Sequence, residues 1–132
     1  MDLEKLIKKG LVHEESFQVA EEHSAIQVGS GGSQVLATPW LIAFMERVAY
    51  RMLEELLPEG RSSVGVLVDI RHMAPTPIGS TVRVRAEIED LQGSSVVFGV
   101  QAWDQVEKIG QGSHQRVVID EARFLKRLEG KK

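Results

Sequence analysis

Apolar residues recur at helical spacing between Thr38 and Leu57 and at alternate positions through most of the chain that follows. The stretch ATPWLIAFME (37–46) opens the helical part. Thr38 can cap an orphan amide, Pro39 suits the first helical position, and Pro58 with Gly60 stop the run, so the pattern predicts a helix from Thr38 to about Leu57. On a helical wheel Arg47, Arg51, Glu54 and Glu55 share one narrow polar stripe, and nearly everything else before Pro58 is apolar. Such a helix must be surrounded by protein on most of its sides.

What surrounds it is written downstream with a period of two. In VGVLVDIR the positions Val64, Val66, Val68 and Ile70 share a face. In TVRVRAEIED that face holds Val82, Val84, Ala86 and Ile88, and in SVVFGVQAW it holds Val96, Phe98, Val100 and Ala102. A fourth strand covers roughly Glu107 to Asp120, and SFQVA (16–20) reads as an earlier one. The links, around Pro75 to Gly79, at Gly93 and from Asp104 to Glu107, are short enough for antiparallel neighbours. The expected fold is α+β, one domain over 1–132, with an antiparallel sheet of about five strands wrapped around one long central helix. Such a sheet leaves open edges, which proteins cover or pair, so a homodimer is expected, with a dimer of dimers as a further possibility.

Composition removes several functions. With 132 residues, 42% hydrophobic and 27% charged, the chain is built like a globular protein. Its net charge of −3 and scattered basic residues give no footprint for nucleic acid. No apolar stretch approaches the roughly 20 residues that span a bilayer, so no membrane partner is expected. MDLEKLIKKG lacks the apolar core of a secretory signal, which makes the cytoplasm the expected compartment. Without cysteine, chemistry must come from Ser, Thr, His or carboxylates.

Glu46 interrupts the apolar side of the helix beside Ile42, Ala43, Ala49, Tyr50 and Leu53. Desolvation there would raise its pKa towards the range of a general base. An ion pair with Arg47, Arg51 or a lysine is the plainer alternative. His72 follows VGVLVDIR, and strand parity points it at the helix from the sheet's end, either into a pocket or onto a backbone carbonyl in the turn. Thr38 can cap the helix, and the same helix terminus offers amides and a positive dipole end to an oxyanion. Arg116, in GSHQRVV, is by position an ordinary strand residue. His13 and His114 show no metal-ligand spacing with any carboxylate, so no metal is expected. The glycines of GSGGS (29–33) and GQG (110–112) read as turns.

Three segments, VLATPWLIAFME (35–46), VGVLVDIRHMAPTPIG (64–79) and IGQGSHQRVVI (109–119), carry a resemblance to the hotdog-fold thioesterases, most closely the fluoroacetyl-CoA thioesterase type. The resemblance implies catalytic roles for Thr38, Glu46 and His72, places Gly65 beside the acyl site, and gives Arg116 to the substrate site. It implies hydrolysis of a small acyl-CoA thioester, with coenzyme A entering as part of the substrate and no separate cofactor.

The chemistry is consistent with those residues. A thiol leaving group, with a pKa of roughly 8.5, departs without a strong acid, so a glutamate and a histidine suffice. Glu46 would act as general base on water or as nucleophile, His72 would polarise the thioester or shuttle the proton, and Thr38 would orient a partner. Thr38 and Glu46 lie about 12 Å apart along a helix, so either Thr38 acts indirectly or the site joins two subunits. Two competing readings stand beside this one. An acyl-CoA hydratase of the same fold would pair an aspartate with a histidine on the helix and its approach, and this helix has no histidine. A non-catalytic dimer could bind acyl-CoA or another small ligand in the same pocket.

Overall fold

The computed structural model describes residues 2–132. Its elements are α1 (Leu3–Leu6), β1 (Val12–Gln18), a 3-10 turn (Glu21–His23), α2 (Ala25–Val28), α3 (Thr38–Leu56), β2 (Arg61–His72), β3 (Thr81–Gln92), β4 (Ser95–Trp103), β5 (Lys108–Asp120) and α4 (Glu121–Glu129). The five strands form one antiparallel sheet in the order β1-β3-β4-β5-β2. α3 lies on one face of that sheet. It buries Leu41, Phe44, Met45, Val48, Ala49, Met52 and Leu53 against the apolar faces of β3 and β4, while Arg47, Arg51, Glu54 and Glu55 stay exposed. No helix among the described residues is long and apolar enough to cross a membrane.

The helix and the three strands β3 to β5 form where the periodicity puts them; β3 and β4 each have one continuous apolar face, whereas the inward side of β5 carries His114 and Arg116. β1 starts earlier than SFQVA suggests and ends at Gln18. Its helix-facing residues include His13 and Glu15, and Glu15 accepts hydrogen bonds from Arg51 on the polar stripe of α3 and pairs with His13. A strand lying over a polar stripe need not alternate apolar with polar, which hides it from a hydrophobic pattern. α4 follows β5 directly and was not anticipated; Asp120 caps it by accepting from the Arg123 amide.

One correction to strand parity positions the site. The β2–β5 register slips between Gly65, opposite Arg116, and Leu67, opposite Gln115, so Val66 is an extra residue. Residues opposite one another in a ladder share a face, and both Arg116 and His114 are buried under α3. Gly65 therefore faces the helix before the bulge, whereas Val68 and, four residues on, His72 face it afterwards. The single face expected for Val64, Val66, Val68 and Ile70 does not exist; Val64 and Val68 point to opposite sides. β2 is also an edge strand, and Val66, Leu67 and Val68 remain 55%, 44% and 45% exposed.

Candidate active site

The five residues singled out in the sequence gather into two separate groups within the chain. The first lies where α3 begins. Ala37, not Thr38, is the N-cap, and it makes no side-chain capping bond; Thr38 and Pro39 are the first two helical residues. Thr38 is thereby released from the capping role expected of it. Its hydroxyl lies 2.7 Å from Nδ1 of His72, at the end of β2. The other ring nitrogen of His72, Nε2, is buried and has no hydrogen-bond partner among the described residues. Burial pushes the His72 pKa below its ordinary value, and the Ala74 backbone opposes this only in part. A neutral imidazole is thus held at one nitrogen by a hydroxyl and left unsatisfied at the other. The surrounding cleft sets small residues such as Ala25 and Ala37 beside the larger apolar Leu36, Met73 and Pro75.

The second group lies two turns further along α3. Glu46, its side chain 42% exposed, sits 3.6 Å from the guanidinium of Arg116, which is itself almost fully buried. The plain alternative of an ion pair was right in kind but not in partner. Arg47 stacks on Trp40 and Phe44, and Arg51 bonds to Glu15 on β1. Arg116 is anchored from behind, donating from Nε to the Ser63 hydroxyl at 2.8 Å and from NH2 to the Ser63 carbonyl at 3.1 Å. Burial lowers its pKa from the usual guanidinium value, against the opposing pull of Glu46 and Tyr50.

Gly65 leaves room for the Glu46 carboxylate. A Cβ at this position would lie 2.6 Å from Oε2 of Glu46, 3.3 Å from the His114 ring and 3.4 Å from Arg116. Glu46, Gly65 and His114 line one shallow notch together with Ile42 and residues of the exposed β2 edge. His114 and Ser63 were not picked out as part of this site. The signal for His114 was its placement two residues before Arg116 on a strand, which puts both on one face.

The two groups do not meet inside one chain. Thr38 and Glu46 are separated by about 12 Å along α3. Gly65 and His72 are about 20 Å apart along β2. Each group opens beside the uncovered edge of the sheet.

Residues 19–122 match the family of the fluoroacetyl-CoA-specific thioesterase. The fluoroacetyl-CoA thioesterase of Streptantibioticus cattleyicolor is 35% identical over 98 residues, which cover 74% of this chain and 70% of that one. A variant of the fluoroacetyl-CoA thioesterase solved in complex with acetyl-CoA superposes with a TM-score of 0.90 at 27% identity, over 96% of this chain and 99% of that one. A hot-dog-like protein from Thermanaerovibrio acidaminovorans shares the fold, with a TM-score of 0.92 over 99% of this chain and 97% of that one, at 24% identity.

Proposed function

The chain belongs to the fluoroacetyl-CoA-specific thioesterase family, a family of acyl-CoA thioester hydrolases with the hotdog fold, and on that premise we propose that it hydrolyses small acyl-CoA thioesters at a site shared between two subunits. Each site takes Thr38 and His72 from one subunit and Glu46, Gly65 and Arg116 from the other. The observation that carries this reading is His72, neutral, bound to Thr38 through Nδ1 and left with a buried, unpartnered Nε2.

The free edge of β2 supports the two-subunit arrangement. An antiparallel pairing of this strand with a second copy, centred between Val68 and Asp69, brings Gly65 of each subunit opposite His72 of the other. It also covers Val66, Leu67 and Val68, and removes an edge that would otherwise invite aggregation.

In the resulting site Glu46 attacks the thioester carbonyl or activates the water that does. His72 Nε2 donates to the carbonyl oxygen or carries the proton, according to which partner holds the proton of the Thr38–His72 hydrogen bond. Coenzyme A leaves as a thiol; when water is the nucleophile the acid forms in that step, and when Glu46 attacks, the mixed anhydride it forms is hydrolysed by water to release the acid and restore the carboxylate. Arg116, 3.6 Å away, holds Glu46 over Gly65. The segment GSGGSQ (29–34) bears no bulky apolar side chain, so it adds to the cleft around Thr38 none of the tight cover that would select fluoroacetyl over similar acyl groups. Acceptance of several small acyl groups is the expected behaviour.

Free-thiol detection across acetyl, haloacetyl, medium-chain and aryl acyl-CoA thioesters tests the activity. Hydrolysis of small members, lost in Glu46→Gln, supports the proposal. No hydrolysis anywhere in the panel, with ligand binding intact, would establish the non-catalytic binding dimer instead.

A further inference from the structure

His114 is one of the most deeply buried polar residues of the chain, and the reaction just described gives it no part. Its two ring nitrogens have different partners. Nδ1 lies 2.9 Å from the Leu67 carbonyl, which can only accept, so Nδ1 carries the proton. Nε2 lies 3.2 Å from NH1 of Arg116, which can only donate, so Nε2 offers a lone pair. Both partners hold only if the ring is neutral and in one tautomer. Burial and the neighbouring Arg116 favour that state, against the Leu67 carbonyl and Glu46.

These two bonds join the features that shape the Glu46 notch. Leu67 is the first residue back in register after the bulge, the irregularity that lets Gly65 and His72 face the same side. Arg116 has its Nε and NH2 committed to Ser63, which leaves NH1 to serve both His114 and Glu46. With one NH1 hydrogen taken by the imidazole, the other is left free for the carboxylate 3.6 Å away. Phe98 on β4 lies alongside the ring, 6.3 Å between centroids, and restricts its rotation.

From this we infer that His114 is a positioning residue, a neutral hydrogen-bond acceptor that orients Arg116 towards Glu46 while its other nitrogen pins the β2 bulge. The inference rests on the catalytic reading of Glu46. Without the Nε2 acceptor the guanidinium is held by Ser63 alone, the third contact that fixes NH1 beside Glu46 is lost, and the carboxylate's aim over Gly65 loosens. That is a defect in the chemical step rather than in substrate binding.

Two conservative substitutions separate the two bonds. In His114→Asn the amide can still donate to Leu67 from the position of Nδ1 but no longer reaches Arg116. In His114→Gln an amide oxygen reaches the position of Nε2. The expected result is a fall in kcat of about tenfold or more for H114N with KM within about twofold of wild type, and a kcat for H114Q clearly closer to wild type. Equal losses in both variants, tracking their thermal stability, would mean a purely structural histidine and overturn the inference, as would an unchanged kcat in folded H114N. Nitrogen NMR of the wild-type protein gives a readout free of mutation: His114 must show a protonated Nδ1 and an unprotonated Nε2, and the opposite tautomer overturns the inference. Glu46→Gln, run alongside, tells the two failures apart. If that variant keeps full activity, the catalytic reading itself falls; if it is inactive while H114N is normal, only the role of His114 falls.

Discussion

Subunit complementation tests the shared site directly. Thr38 and His72 are bonded to each other within one chain at 2.7 Å, whereas Glu46 and Arg116 form the other half about two helical turns away. A Glu46→Gln subunit retains a working Thr38–His72 half, and a His72→Ala subunit retains a working Glu46 half. Neither homodimer has a complete site. A heterodimer of the two has one site with both halves defective and one with both halves intact. Purified heterodimer should therefore show about half the wild-type kcat, and a randomly exchanged equal mixture about one quarter. The assay needs two affinity tags, subunit exchange or co-expression, and thiol release from an acyl-CoA already established as a substrate. The geometry supplies its own control. Thr38→Ala and His72→Ala damage the same half, so their heterodimer should recover nothing, while Thr38→Ala with Glu46→Gln should recover as the first pair does. A properly assembled Glu46→Gln/His72→Ala heterodimer at background activity would refute the shared site, and so would full turnover by a verified monomer.

Three further expectations rest on single features. Gly65→Ala places a methyl 2.6 Å from Oε2 of Glu46 and should lower kcat by about tenfold or more with little change in melting temperature, because the displaced carboxylate can move towards solvent; an unchanged kcat would contradict the notch geometry. Val66→Lys puts a charge on the exposed β2 edge and should yield a monomer by sedimentation together with loss of hydrolysis; an active dimer would show that this edge is not the interface. Both His72 and His114 have pKa values lowered by burial, so the unfolded chain binds more protons than the folded one below the ordinary histidine value. Stability should be at its full value above about pH 6.5 and decline as pH falls through that value towards the lower folded ones, read by urea melts; a flat profile there, or a rise on acidification, would contradict the burial of these rings.

Much of this architecture could be read from the residues alone because it follows from local periodicity. Val82 to Ile88 and Val96 to Ala102 alternate without a fault, and α3 has its proline start and proline stop, so strands and helix declare themselves. β1 was only half visible because its inner face meets the polar stripe of α3, a contact between distant segments that no local pattern records. The resemblance named the five candidate residues and helix spacing separated Thr38 from Glu46, but neither gave the contacts among them. Periodicity assigned Thr38 to a cap, and only the fold shows its hydroxyl turned to His72, because the ring arrives from a strand that begins far along the chain.

The sequence by itself determined that α3 and the strands β3 to β5 form, which helix is central and which side chains are available for chemistry, since each depends on residues close together in the chain. Tertiary structure alone decided the phase of β2, the partner of Glu46 and the grouping of His72 with Thr38 and of Gly65 and Arg116 with Glu46. A one-residue bulge reverses the facing of a strand without changing its hydrophobic character, and Arg116 reaches Glu46 only because β5 packs beneath α3.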